Sequence, residues 1–291
     1  MPRGPLDVDD TFRCVVSLLK ASDALRLRAT SQSFSIKTLP LITKLDLRDD
    51  AADHLNLDTY VPRDISVLSL CTGLVSLYLQ GRSLENLEPI RALSSLTFLR
   101  VQFSRFRDLT PLVSCAALTE LQLKWLPLMV DISPLASCAA LTSLNIDFCN
   151  EVEDFSPIAS CAALSSLNLH RCGKLTDLRF LASCTALTSL HFIETQLAHD
   201  EIDFAPIASC TALTSLSLIA TNIMDLGPLA SCTELMRLDL SYSFDIGDDL
   251  DAVSRWLFAR LPRLAEVELF ARWSHMDETY AGLARDAKHT L

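Results

Sequence analysis

Ten cysteines and six histidines lie among the 291 residues of this chain. Thiols and imidazoles can hold zinc, or act together as nucleophile and base. Their spacing decides between these chemistries. Cys71, Cys115, Cys138, Cys161, Cys184, Cys210 and Cys232 recur in one slot of a periodic unit, and Leu93 fills that slot in the copy that lacks Cys. Exchange with Leu marks an apolar site, and a free Cys behaves as a small apolar side chain. Cys149 and Cys172 form a second register, three residues after the strand's last apolar position, and together with His170 they offer a zinc-type donor set. Neither a C-x-x-C nor a paired H-x-x-x-H accompanies them, so no metal is expected. Cys14 lies outside the repeat and reads as apolar packing.

General acid/base chemistry could be drawn from His170 and His191 with Asp147 and Glu194. No P-loop, G-x-G-x-x-G or G-x-S-x-G accompanies them. The histidines therefore read as contact residues on an open wall, and the chain as a non-enzyme without catalytic residue or cofactor. The acidic run His199-Asp-Glu-Ile-Asp203 reads as an insertion on the turn side rather than as a metal site.

The element that positions all of these residues is a repeat. L-x-x-L-x-L occurs as Leu74/Leu77/Leu79, Leu96/Leu99/Val101, Leu118/Leu121/Leu123, Leu141/Leu144/Ile146, Leu164/Leu167/Leu169, Leu187/Leu190/Phe192, Leu213/Leu216/Leu218 and Leu235/Leu238/Leu240. Weaker copies flank it at Ile42/Leu45/Leu47 and Leu264/Val267/Leu269. Successive copies from Leu74 to Leu264 are 22, 22, 23, 23, 23, 26, 22 and 29 residues apart, the period of a leucine-rich repeat. The last two apolar positions face one side of a strand, and the residue between them faces the other. One strand cannot bury that face alone, so neighbours must stack into a solenoid. Ahead of each strand stands Asp-x-x-Pro, as in Asp108–Pro111, Asp131–Pro134, Asp154–Pro157 and Asp225–Pro228. Asp suits a turn cap and Pro the start of a helix, and a stretch this short suits one 3₁₀ turn. The expected fold is α/β: a leucine-rich-repeat solenoid with a curved parallel sheet on the concave side, short 3₁₀ or helical turns on the convex side and a helical N-terminal element.

D-I-x-P-L followed by L-x-x-L-x-L resembles the short repeats of internalins and of phosphatase-regulator leucine-rich-repeat proteins, over residues 41–270. That resemblance implies the fold and a protein-binding role. The opening Met1–Asp10 has no apolar run of the signal-peptide type, and no stretch is long and apolar enough for a membrane span. Many thiols without a secretory signal fit a reducing compartment, so a cytoplasmic or nuclear location is expected, with no membrane partner. Net charge is −11. No basic stripe shows at the level of the whole chain, so no nucleic-acid partner is expected.

Solenoid ends need covers. Leu250, Val253, Leu257 and Leu261 are spaced three and four apart, which predicts an amphipathic helix before Pro262. Residues 246–291 are thus a C-terminal capping region of a solenoid spanning 41–291. Residues 1–40 form a separate helical element. Thr11–Phe34, with Asp23-Ala-Leu-Arg-Leu-Arg-Ala-Thr-Ser-Gln-Ser-Phe34, resembles the F-box motif, although Pro5-Leu6 reverses the usual order and Phe34 stands for the frequent Trp. The resemblance implies a substrate receptor of a cullin-based ubiquitin ligase, docking the ligase's adaptor protein through Phe12, Val16, Leu19, Leu25 and Leu27. The alternative is a plain helical cap on a scaffold or phosphatase-regulator-like protein with no ubiquitin link.

The partner-binding face is expected at the strand positions that alternate with the leucines, and just past them. Tyr78, Phe98, Arg100, Gln102, Phe103, Lys124, Trp125, Asn145, Asp147, Phe148, His170, Arg171 and His191 are the candidates. Aromatics and Arg are the types enriched at binding hot spots.

Overall fold

The computed structural model describes residues 43–47, 65–82, 84, 86–193, 203–221, 225–245, 250–269 and 271–272. The F-box-like stretch, the boundary near residue 40 and most of the acidic run lie outside them. The chain divides into two compact units, Met1–Leu141 and Thr142–Leu291.

Among the described residues the first unit holds four strands, β1 Lys44–Leu47, β2 Ser76–Gln80, β3 Phe98–Gln102 and β4 Glu120–Lys124, paired parallel in chain order. The second holds β5 Ser143–Asp147, β6 Ser166–His170, β7 Ser189–Ile193, β8 Ser215–Ile219 and β9 Arg237–Asp239, again parallel and in order. Register sets each repeat position beside its equivalent: Leu77 pairs Leu99 and Leu99 pairs Leu121, as Leu144 pairs Leu167. The leucines of L-x-x-L-x-L are almost wholly buried throughout. Burying a Leu contributes about 1.5–3 kcal/mol, so two or three per copy supply most of the drive to stack.

Between strands, each copy makes one 3₁₀ turn, as expected: Glu88–Ala92, Thr110–Ser114 and Ser133–Ser137 in the first unit, and Ser156–Ser160, Arg179–Ser183, Ala205–Ser209 and Gly227–Ser231 in the second. The recurrent Asp acts one residue earlier than a helix N-cap would. Its carboxylate accepts the backbone N–H two residues on, at 2.7 Å from Thr110 to Asp108, 2.7 Å from Ser133 to Asp131 and 2.8 Å from Ser156 to Asp154. These are Asx turns, in which a short side chain mimics a backbone turn. Asp203 makes the same bond to Ala205, 2.8 Å, which assigns it to the turn. Asn86 substitutes in the copy that also lacks Cys.

The Cys slot closes each turn. Cys115 N–H donates to Leu112 O and its thiol lies 3.8 Å from Ile90 O of the preceding copy. Cys184, Cys210 and Cys232 reach back in the same way. All nine described cysteines are buried, Cys149 and Cys172 included, and no disulfide joins two of them. Burial pushes the Cys71, Cys115, Cys184 and Cys232 thiols up to about 11 and Cys210 to about 12.

A second ladder has no counterpart in the expectations above. One carbonyl at the start of each strand takes up to three donors from the next copy. Thr97 O accepts both the Thr119 and Glu120 N–H groups, at 2.9 Å each, and the Thr119 hydroxyl at 3.0 Å. Thr142, Ser165 and Thr188 carbonyls do the same in the second unit.

After the repeats the second unit carries α1, Leu250–Arg260, with Asp251 in its first turn and Arg260 in its last, as the helix dipole favours. Leu257 and Leu261 are buried; Phe258 of the same helix is 44% exposed. Beyond it β11, Glu266–Glu268, pairs with β9. A small pairing of β10, Phe244–Asp245, with β12, Ala271–Arg272, was not expected from the sequence. Two-residue strands are too short to show a periodicity.

Two outcomes follow. Leu167→Ala should lower unfolding free energy by about 2–5 kcal/mol in urea titration. Iodoacetamide near pH 8 should leave the nine described thiols unmodified in the folded protein and alkylate all of them in urea, read peptide by peptide, because folding buries every one of them.

Candidate functional site

The strand residues that alternate with the leucines stand on the face opposite the core. Register arranges them in columns across neighbouring strands. In the first unit one column runs Tyr78–Arg100–Gln122 and another Gln80–Gln102–Lys124. The Arg100 guanidinium lies 4.8 Å from the Tyr78 ring centroid, a cation–π distance. Arg100 also donates to Gln102 Oε1 at 3.2 Å, and Gln102 donates to Gln80 Oε1. Tyr78 and Gln102 are buried in this network, although the sequence reading took them as exposed. Arg100 carries them across the sheet as a linked set.

Phe103 and Trp125 come one residue after β3 and β4. Both have φ of 54°. Phe148 (53°), Arg171 (49°), Ala220 (52°) and Tyr242 (61°) share the left-handed conformation. The cause is local: Phe103 N–H makes the last ladder bond, to Lys124 O at 3.0 Å, and the chain must then leave the sheet abruptly. A residue with a Cβ pays about 1–2 kcal/mol there. These side chains do not fold under the turn. Phe103 stacks on Trp125, centroids 5.6 Å apart, and Trp125 is 43% exposed.

The second unit repeats the geometry with different chemistry. Arg171 lies 4.5 Å over the Phe148 ring, and Phe148 meets His170 edge-on at 5.4 Å. His170 Nδ1 is 3.0 Å from Asp147 Oδ1. The central column is Asn145–Asn168–His191–Ser217–Asp239. Asn145 and Asn168 each bury a carbonyl oxygen that has no hydrogen-bond partner among the described residues. His191 Nε2 is 2.7 Å from Ser189 Oγ. His170 pairs with Ile193 and His191 with Asn168, so the two histidines occupy different columns. Among the described residues no three His, Cys, Asp or Glu side chains group as metal ligands, and no helix is long and apolar enough to cross a membrane. The adaptor-contact residues Phe12, Val16, Leu19, Leu25 and Leu27 lie outside the described residues.

An internalin (inlF) from Listeria monocytogenes has a similar structure, with a TM-score of 0.63 and 21% identity over 92% of this chain and 76% of that one. Internalin C2 (inlC2) from the same species gives a TM-score of 0.56 and 26% identity over 69% of this chain and 83% of that one. The fold is a leucine-rich-repeat solenoid. No sequence-family model matches the chain, and no curated protein matches it.

The strand-position rule passed over three arginines that lie between elements. Arg82 follows β2, and Arg105 and Arg107 follow β3; all three are exposed. Phe106 between the latter two is buried, so an exposed–buried–exposed alternation could have found them. Charge is also unevenly divided. Residues 1–141 carry 15 Lys/Arg and 15 Asp/Glu, whereas residues 142–291 carry 10 and 21. The whole of the −11 net charge belongs to the second unit.

Burial lowers the His191 pKa below its ordinary 6.5, only partly offset by Asp239. The folded state then binds the proton more weakly than the unfolded chain does. Stability from this group is complete above about 6.5 and is lost as pH falls through the lower folded value. NMR titration should give His191 a midpoint below 6.5, and His191→Gln should flatten the acid limb of the stability curve.

Proposed function

We propose that this chain is a protein-binding module whose partner lies on the strand face opposite the leucine core, the concave face of a leucine-rich-repeat solenoid. One observation carries the reading: the fold asks little of these positions, yet they hold costly side chains. Ser143, Ser166, Ser189 and Ser215 fill one such column in the second unit. The first unit places Phe98 at the equivalent position, beside the Tyr78–Arg100 pair and the Phe103–Trp125 stack. Large aromatics and Arg on an open face, already ordered by one another, are what a partner surface requires.

The finer reading is an F-box-type substrate receptor of a cullin-based ubiquitin ligase. The F-box-like Thr11–Phe34 supports it, with Phe12, Val16, Leu19, Leu25 and Leu27 as adaptor contacts and the repeats as substrate holder. The rival is a scaffold or phosphatase-regulator-like protein with no ubiquitin link. A cytoplasmic or nuclear location belongs with either reading.

Two measurements test these levels separately. A photo-crosslinking residue at Gln122 in the full chain should trap a discrete protein in cells, and one at Ala136 on a 3₁₀ turn should not. Equal adducts at both positions, or none at either, would refute the binding face. Pull-down with the full chain and with a chain lacking residues 1–38 should recover the ligase adaptor only with the former. A folded full chain that recovers no adaptor favours the scaffold.

A further inference from the structure

We propose, resting on the protein-binding reading above, that the partner contributes an acidic segment bearing aromatic or apolar side chains, and that this segment docks along the edge of the first unit where β3 and β4 end. The edge is built by register. Gln80, Gln102 and Lys124 end their strands side by side, so the residues just beyond them succeed one another at about the 4.8 Å spacing of neighbouring strands. Phe103 and Trp125 are two of these, stacked and held in the left-handed conformation. Arg82 leaves the end of β2. Arg105, tied by its N–H to Leu84 O at 3.2 Å, and Arg107 leave the end of β3. The buried Phe106 anchors the segment between the two, so both guanidiniums stay in solvent.

Arg91, on the turn side, is held by Glu88 at 2.7 Å. No described carboxylate lies within ion-pair distance of Arg82, Arg105 or Arg107. Guanidinium forks bind carboxylates in two-point fashion, and the exposed Trp125 ring, stacked on Phe103 two residues before Arg105, offers an apolar platform on the same edge. Solvent screens charge within about 8 Å at physiological salt. An acidic segment therefore responds to this edge and is turned away from the second unit, which holds all of the chain's net negative charge.

A protein segment fits better than a nucleic acid. The exposed arginines at this edge are few, and Glu120 stands in the same sheet, accepting from Gln122 at 2.7 Å. A phosphate backbone needs a longer basic track.

The test uses the full chain and fluorescence anisotropy with three labelled probes: a random Glu/Tyr copolymer, a Lys/Tyr copolymer and an oligouridylate. The Glu/Tyr probe should bind, and more weakly as salt rises. Its affinity should fall about tenfold on Arg105→Glu with Arg107→Glu, and about tenfold on Trp125→Ala. Both should leave circular dichroism unchanged; Ala220 already occupies the Trp125 backbone position at φ 52°. Arg179→Glu with Arg263→Glu, an equal charge change in the second unit, should have no effect. The proposal is overturned if the Lys/Tyr probe binds as tightly, if oligouridylate binds more tightly, or if the control pair costs as much. It is also overturned if the chain self-associates in sedimentation and the Arg105/Arg107 change abolishes this, since the occupant is then a second copy. Crosslinking from Gln122 that persists in the Arg105/Arg107 variant, with no Glu/Tyr binding, removes the acidic segment but leaves the protein-binding face. Loss of crosslinking from the unaltered chain removes both.

Discussion

Everything in this molecule depends on the inability of one short strand to bury its own leucines. Leu77 and Leu79 reach full burial only because β1 and β3 flank them, and the same holds for Leu167 and Leu169 between β5 and β7. Each copy is therefore stable only as a neighbour, the near one-dimensional logic of repeat proteins. The remaining ladders follow from that stacking. Once strands are in register, the Thr or Ser before each strand is placed to add its hydroxyl to the preceding carbonyl, and the buried Cys to point its thiol at the preceding turn. Backbone groups that a buried edge would leave unpaired find partners in the next copy.

Stacking also decides which positions are chemically unconstrained. A residue between two leucines faces away from the core, and serine suffices there in four successive strands of the second unit. The left-handed residue after the strand is similarly undemanding, since Ala220 fills it. Its backbone strain of about 1–2 kcal/mol falls on any non-glycine residue and is outweighed by the two leucines buried in each strand. The fold therefore pays the strain in any case, and the identity of the side chain is left to other demands.

That division explains what the sequence made legible. The leucines, the cysteine slot and the 3₁₀ turns were readable because each repeats, and repetition exposes a shared physical role. The Asp–Pro spacing gave the turn but not the Asx geometry, since a one-residue difference between N-cap and Asx acceptor leaves no mark in composition. Tyr78 and Gln102 were read as exposed because alternation gives the direction of a side chain. It does not reveal that Arg100 covers one and bonds the other. Arg82, Arg105 and Arg107 escaped because they lie between elements, where no period applies. The pairing of His170 with Asp147, and of His191 with Ser189, depends on rotamers that spacing does not encode.

Charge is the clearest case of information hidden by averaging. A net −11 describes an acidic protein, yet residues 1–141 are balanced and residues 142–291 carry the whole excess. Nothing in the leucine stacking asks for this, because charged side chains stand on faces and edges that the core does not use. Solubility alone would be served by acid spread over every copy. The first unit departs from that pattern where its aromatics are stacked, with arginines that no described carboxylate neutralises. Cations that no described carboxylate pairs give up local ion pairs of small worth, about 0–1 kcal/mol each. In return they retain a local field that an acidic partner can satisfy. The coincidence at the ends of β3 and β4 of strained aromatics and guanidiniums that no described carboxylate pairs is more specific than either alone.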